Sequence, residues 1–319
     1  MQHFSEDEQR EVKLRDIIFL EEQNSIKIEF IKLKNSLRRK INLKFLKKND
    51  RLFLGFFAPR SDKIININIC PASEKELSEI ISPISDLIDK NISDRDSGEI
   101  HILKADNGLL VQISLTSSSD IRPEFSRRLK SMIGRNNIIS ISLYLNNNLK
   151  ISFNNQKKEP EDLSEEAPYV TFGSYKIEVE PNCFLQPTKE SDLVISNFAI
   201  NAIDEHRDKY GFSSPKKPLK ILDLFCGRGT ISIPLGTRGH NIDSYDFDDK
   251  ALSALSKGSS DLPIRVHKRD LLYNPINDEL AKYDFIIINP PRIGAEEQMK
   301  RIAKAKKENG SDARIVYIS

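Results

Sequence analysis

Leu219-Lys-Ile-Leu-Asp-Leu-Phe-Cys226, then Gly227-Arg-Gly229, then Thr230-Ile-Ser-Ile-Pro-Leu-Gly-Thr237, is the stretch on which the fold turns. An apolar run of strand length feeds a glycine turn and then a helical run, which lets backbone N–H groups come close to a ligand. Ser232 stands where a dinucleotide fingerprint has its third glycine, so NAD is disfavoured. Downstream, Asn241–Phe247 reads as a second strand carrying Asp246 at its end, about twenty residues past the glycine turn, where an acid suits a ribose diol. Ile264–Lys268 is a third, followed by Arg269-Asp270, whose carboxylate can accept from an adenine amino group. Tyr283–Ile288 is a fourth and leads into Asn289-Pro-Pro-Arg292; Arg314–Ser319 is a fifth. Taken singly, each of these acids has an ordinary use as a helix cap or a solvated loop residue. Four strands each delivering a polar group at the carboxyl end describe a ligand crevice, because open α/β sheets bind ligands there.

Working outward, 319 residues suit two domains, and 38% hydrophobic against 30% charged residues allows an ordinary core under a well-solvated surface. No apolar run approaches the roughly 20 residues of a membrane span, and Met1-Gln-His-Phe-Ser-Glu-Asp-Glu has neither region of a signal peptide. Three widely spaced cysteines, Cys70, Cys183 and Cys226, form no disulfide framework and point to a reducing cytoplasm. The net charge of +2 hides an asymmetry, since Asn24–Cys70 holds twelve Lys/Arg and three Asp/Glu. Within it Ile26–Leu33, Lys40–Phe45, Leu52–Phe57 and Lys63–Ile69 read as strands, with turns at residues 47–50 and 59–62. A helix over Glu6–Glu22 precedes this meander and another over Ser73–Asp89 follows it. A hairpin over Glu99–Leu115, a helix over Pro123–Ile133 and two strands ending near Phe153 complete the front half. A local basic excess on one sheet favours a phosphate-binding face built from Arg38, Arg39, Lys40, Lys44, Lys47 and Lys48. Lysines also protect exposed strands, so a solvated meander is the bland reading. The polar, proline-bounded run Asn154–Pro168 reads as a linker. The fold expected is therefore α/β: an α+β domain carrying that phosphate-binding face over residues 1–165, then a Rossmann-like domain with a parallel sheet over 166–319.

Two prolines after Asn289 fix a rigid extended backbone that donates no hydrogen bonds and holds the Asn side chain toward the crevice. Here the chain resembles the S-adenosylmethionine-dependent RNA uracil-C5 methyltransferases, which make 5-methyluridine in tRNA and 23S rRNA. Pro181-Asn-Cys-Phe-Leu-Gln186 is similar to that family's P-N-S-F-F-Q segment, and Asp223-Leu-Phe-Cys-Gly-Arg-Gly-Thr230 to its D-L-[FY]-C-G-x-G motif. Asn289-Pro-Pro-Arg-Ile-Gly294 is similar to D-P-P-R-x-G with Asn for Asp, and Asp246 stands where Glu is usual. Leu37-Arg-Arg-Lys40, Gly55-Phe56 and Ile67-Asn-Ile-Cys-Pro71 resemble the domain that joins the family's iron–sulfur loop to its catalytic domain.

The resemblance implies a class I methyltransferase domain, incomplete at its C-terminus, with Gln186, Phe225, Gly227, Gly229, Thr230, Asp246, Asp270 and Asn289 as cofactor-binding residues. It implies RNA as partner, a monomer, and a nucleophilic cysteine that adds to uracil C6, expected just after Ser319, with the base further on. Gln2-His3 resembles the residues that follow the family's C-G-G-C ligands, so the chain reads as truncated at both ends. Cys70 is then either an orphan ligand of a 4Fe-4S cluster or a small buried thiol. Two alternatives use the same residues: an RNA or DNA amino-methyltransferase working through Asn289-Pro290-Pro291, and a non-catalytic module binding cofactor and RNA. Arg292 counts against the first, because such enzymes usually place a base-stacking aromatic there.

Overall fold

The computed structural model describes Leu33 and residues 37–154, 167–209, 217–277, 280–309 and 313–318. Apart from Leu33, the described residues belong to the second of two units, Asn35–Ser319. The helix expected over Glu6–Glu22 and the strand over Ile26–Leu33 fall outside the described residues, as does most of the expected linker.

The second unit begins with β1 (Lys40–Lys48), β2 (Arg51–Phe57) and β3 (Ile64–Asn66), followed by helices α1 (Lys75–Glu79) and α2 (Ile81–Asp89). Then come β4 (Ser97–Ala105), β5 (Gly108–Thr116), α3 (Pro123–Met132), β6 (Ile138–Leu145) and β7 (Asn148–Asn154). These strands form one sheet in the order β3-β2-β1-β4-β5-β6-β7. All neighbours are antiparallel except β5 and β6, which run parallel because α3 crosses between them. Alternation decides which face is covered. Ile41, Leu43 and Phe45 of β1 point inward and pack with Leu77, Ile80, Ile81, Ile84 and Ile88 from the helices. The single helix expected over Ser73–Asp89 is two, broken at Ile80. Pro83 is the cause: in a continuous helix it has no N–H for the Glu79 carbonyl and its ring meets that turn.

The rest of the chain is a short hairpin, β8 (Tyr169–Phe172) and β9 (Tyr175–Glu178), a long helix α4 (Lys189–Lys209), and then the α/β part. There β10 (Lys220–Leu224), α5 (Ser232–Gly236), β11 (Asn241–Asp246), α6 (Asp249–Gly258), β12 (Ile264–Lys268), β13 (Phe285–Ile288), α7 (Glu296–Asn309) and β14 (Arg314–Tyr317) follow in turn. Its sheet is wholly parallel in the order β12-β11-β10-β13-β14, so every strand ends at the same edge. The two sheets share a core: Leu103, Ala105 and Leu110 of the first pack with Val170, Phe172 and Ile177 of the hairpin and Leu252 and Leu255 of α6. No helix among the described residues is long and apolar enough to cross a membrane.

The register sets Phe45 opposite Gly98, and a Cβ at 98 would lie 2.6 Å from the Phe45 ring and 2.0 Å from the Ser114 carbonyl oxygen. Phe45 therefore fills space that only glycine leaves. Phe45→Ala is expected to lose roughly 3–5 kcal/mol, and Gly98→Ala to destabilise because the backbone of β5 must move. Urea denaturation of each variant checks both.

Candidate functional site

The carboxyl ends of β10, β11, β12 and β13 open on one cavity of about 310 Å³. β10 is the reason it lies there. Leu222, Asp223 and Leu224 are fully buried between β11 and β13, and the chain must turn sharply to leave the sheet. It does so through Phe225 at φ 61° and Gly227 at φ 54°, a left-handed conformation that is strained for phenylalanine. Two bonds hold the turn: Cys226 N–H donates to the Tyr245 carbonyl at 3.1 Å, and Gly227 N–H to Asp246 Oδ2 at 2.8 Å.

Seven of the eight expected cofactor residues line this cavity: Gln186, Phe225, Gly227, Thr230, Asp246, Asp270 and Asn289. Gly229 does not. Its φ is 92°, and a Cβ there would sit 2.5 Å from Leu255 Cδ1, so it serves the close approach of α6 instead. Asp246 accepts from Gly227 N–H and, through Oδ1, from Asp248 N–H at 3.0 Å. One lone pair on each oxygen is left for a ligand. Asp270 Oδ1 accepts from Leu272 N–H at 3.1 Å and caps its own loop. Arg269 fastens the same loop through the Asn274 and Pro275 carbonyls. Asn289 N–H donates to the Leu224 carbonyl at 3.3 Å, which ties the Asn-Pro-Pro segment to β10.

Two lining residues outside the candidates, Asp223 and Arg228, carry buried polar atoms without a partner. Asp223 accepts from Ser232 Oγ at 2.5 Å, and Ser232 contacts Ser244 at 2.9 Å. The other oxygen, Asp223 Oδ1, is buried without a hydrogen-bond partner. Burial, opposed by the Ser232 bond, pushes this carboxyl up to about 7. Arg228 is 3% exposed; it donates to the Glu178 carbonyl at 2.9 Å and pairs with Glu180 at 2.6 Å, while its Nε has no partner. The signal for Asp223 was an acid inside an unbroken apolar strand, where ionisable side chains are rare. Phe184 and Phe247 also line the cavity and are 73% and 63% exposed, giving it an apolar rim.

The three cysteines are all buried. Burial raises the Cys183 thiol, and burial together with the nearby Asp223 and Asp246 charges raises Cys226 well above its ordinary range. Cys70 sits in the apolar cluster under the first sheet, and its N–H donates to Ser78 Oγ at 2.8 Å. Among the described residues no group of three or more His, Cys, Asp or Glu is placed to hold a metal ion.

The basic stretch divides in two. Arg39 is 3% exposed and ion-paired with Asp192, and Lys47 is 7% exposed with its Nζ donating to the Asp89 carbonyl at 2.6 Å. Neither is turned to solvent, which corrects their assignment to a phosphate-binding face. The pleat explains Lys47, which shares the inward parity of Ile41, Leu43 and Phe45, whereas Arg39 lies just before β1 and is buried by its bonds to the Gln186 carbonyl and Asp192. Lys40 is half-buried and its Nζ donates to the Cys183 carbonyl at 2.6 Å. Lys44 pairs with Glu99, and Arg38 and Lys48 are exposed.

Comparison with known proteins agrees with this geometry. The methyltransferase small domain family matches residues 212–309. A 23S rRNA (uracil(1939)-C(5))-methyltransferase of Shewanella woodyi is 28% identical over 278 residues, covering 84% of this chain and 56% of that protein. The protein of the same name from Shewanella sediminis is 26% identical, covering 100% of this chain and 69% of its own length. An uncharacterized RNA methyltransferase of Brucella melitensis is 26% identical, covering 81% of this chain and 56% of its own length. The chain thus spans little more than half the length of two of these curated relatives. The crystal structure of a Pyrococcus abyssi tRNA (uracil-54, C5)-methyltransferase in complex with S-adenosyl-L-homocysteine superposes with a TM-score of 0.67 at 17% identity, covering 99% of this chain and 74% of the other. It shares the fold.

Asp223 makes the stability of the ligand-free chain depend on pH. Its folded value of about 7 lies above the ordinary carboxylate value, so between roughly pH 4 and 7 the folded state holds a proton that the unfolded state has lost. Unfolding free energy is then expected to fall as pH rises through that window, by at most about 1.4 kcal/mol per pH unit. Asp223→Asn should flatten this slope, which denaturation at stepped pH will show.

Proposed function

We propose that this chain, a member of the RNA uracil-C5 methyltransferase family, binds S-adenosylmethionine in the cavity at the carboxyl edge of its parallel sheet, for methylation of a uridine in rRNA or tRNA. The observation that carries the reading is a pair of buried, unpartnered polar atoms on residues lining one cavity. Asp223 Oδ1 is an acceptor with negative charge and Arg228 Nε is a cationic donor. Together they complement the ammonium and carboxylate of an α-amino acid. When bound, S-adenosylmethionine supplies a methyl group carried on a positively charged sulfur. Asp246 keeps lone pairs for a ribose diol, and Phe225, Phe247 and Leu272 give the apolar walls that an adenine needs. Pro290 and Pro291 hold Asn289 at the mouth without contributing donors of their own.

Methylation at uracil C5 needs a thiolate that adds to C6 and makes C5 nucleophilic, and a base that later removes the C5 proton. Cys70, Cys183 and Cys226 are buried and two of them are shifted away from the thiolate form, which supports a nucleophile other than these. In this reading residues 1–319 supply cofactor and RNA binding, and none of Cys70, Cys183 and Cys226 supplies the covalent step.

Calorimetry with S-adenosylhomocysteine tests the cofactor half. Asp246→Ala should weaken binding about tenfold or more, since a charge-assisted hydrogen bond is worth about 1.5–3 kcal/mol; unchanged affinity removes Asp246 from the site. For the RNA half, affinity should fall linearly with salt on logarithmic axes, and reversing the exposed pair Arg38 and Lys48 to Glu should flatten that slope. Incubation with labelled cofactor and unmodified tRNA or 23S rRNA should yield no 5-methyluridine. Turnover lost on replacing one of the three cysteines overturns this assignment, and methylation of an exocyclic amine favours the amino-methyltransferase alternative.

A further inference from the structure

We infer that Arg39 is a positioning residue: from the first sheet, with Asp192, it holds the wall of the cofactor cavity and so couples RNA binding to cofactor affinity. This rests on the function proposed above. The wall concerned, residues 181–188, is neither strand nor helix, and Phe184, Leu185 and Gln186 within it line the cavity. A segment of that kind takes its position from what its carbonyls bond to. Arg39 N–H donates to the Pro187 carbonyl at 2.9 Å, and Arg39 Nε donates to the Gln186 carbonyl at 3.1 Å. Lys40 Nζ donates to the Cys183 carbonyl at 2.6 Å. Three carbonyls of the wall are thus taken by two adjacent residues of the first sheet.

The same guanidinium also reaches the start of α4. Its Nη2 pairs with Asp192 in the first turn of α4, with both side chains almost wholly buried. Burial pushes the Asp192 carboxyl up to about 6, against the pull of Arg39. One planar fork therefore touches the cavity wall at the Gln186 carbonyl and the start of α4 at Asp192. Stability does not explain such a pair, because a buried ion pair is often no more stabilising than an apolar pair of the same volume. Direction does: only a guanidinium donates to two partners at fixed angles. On the other side, the Arg39 carbonyl accepts from Lys104 N–H at 2.8 Å, and Arg38, one residue earlier, is exposed. A phosphate seated on Arg38 acts on the residue bonded to Arg39, and linkage makes the effect reciprocal.

The experiment titrates S-adenosylhomocysteine into the full 319-residue chain, with and without an unmodified 23S rRNA or tRNA transcript, for wild type, Arg39→Met and Arg39→Lys. RNA is expected to tighten the ligand several-fold on wild type. Arg39→Met should weaken it at least tenfold and abolish the RNA effect. Arg39→Lys keeps a charge beside Asp192 but loses the fork, and should fall between the two. If Arg39→Met does not fold, Arg39→Lys decides, by weaker binding and a smaller RNA effect. Variants that melt at lower temperature yet keep wild-type affinity and the wild-type RNA effect overturn the inference, leaving Arg39 a structural residue. A wild-type chain that binds no S-adenosylhomocysteine overturns the cofactor reading instead.

Discussion

A central parallel strand has to leave the sheet at the edge where its neighbours leave, and β10 shows what that demands. Its last three residues are buried between β11 and β13, so the turn that follows must reverse direction at once. Phe225 accepts a left-handed φ of 61° to do so, at a cost of order 1–3 kcal/mol. The surroundings offset it with the Cys226–Tyr245 and Gly227–Asp246 hydrogen bonds. Asp246 is thus part of the turn's own structure as well as an acceptor at the cavity. Strain, glycine turn and acidic side chain belong to one local solution, and the cavity is the space it leaves.

The carboxylates around that space differ in what they have left to offer. Asp270 uses an oxygen to cap its loop, and Asp246 uses both oxygens on backbone N–H groups. Asp223 has one oxygen bonded to Ser232 and one bonded to nothing. A buried acceptor without a donor is costly, and its proton affinity rises until a cation or a proton relieves it. The site is therefore most strained when empty of positive charge, which is the condition a cationic ligand corrects.

Much of this was legible in the sequence, for a physical reason. Strands buried on both faces read as apolar runs, so β10 and β13 announce themselves, and polar residues at the strand ends fall at one edge by topology alone. Elements that depend on packing were harder. Strands β8 and β9 have four residues each, too few for alternation to show, and the break at Ile80 hangs on a single proline. The basic stretch misled because charge was counted without the pleat. Lys47 has the parity of Ile41, Leu43 and Phe45, which puts it inside whatever its charge, and Arg39, just before β1, is buried by its bonds to Gln186 and Asp192. Asp223 was equally readable as a charge in the middle of an apolar run.

The buried cations change what the first sheet is for. A domain that only bound RNA would need its basic groups on the outside and little contact with its neighbour. Here Asp106, in the turn between β4 and β5, bonds Thr171 and Lys189, and Leu103 and Leu110 share a core with α6. Lys40 and Arg39 spend their donors on carbonyls of residues 183–186. The first sheet therefore supplies one side of the cavity's support, and the parallel sheet supplies the other. Because residues 181–188 have no regular structure of their own, neither half defines the wall without the other. The place where the two sheets meet is then where binding to one can be felt by the other.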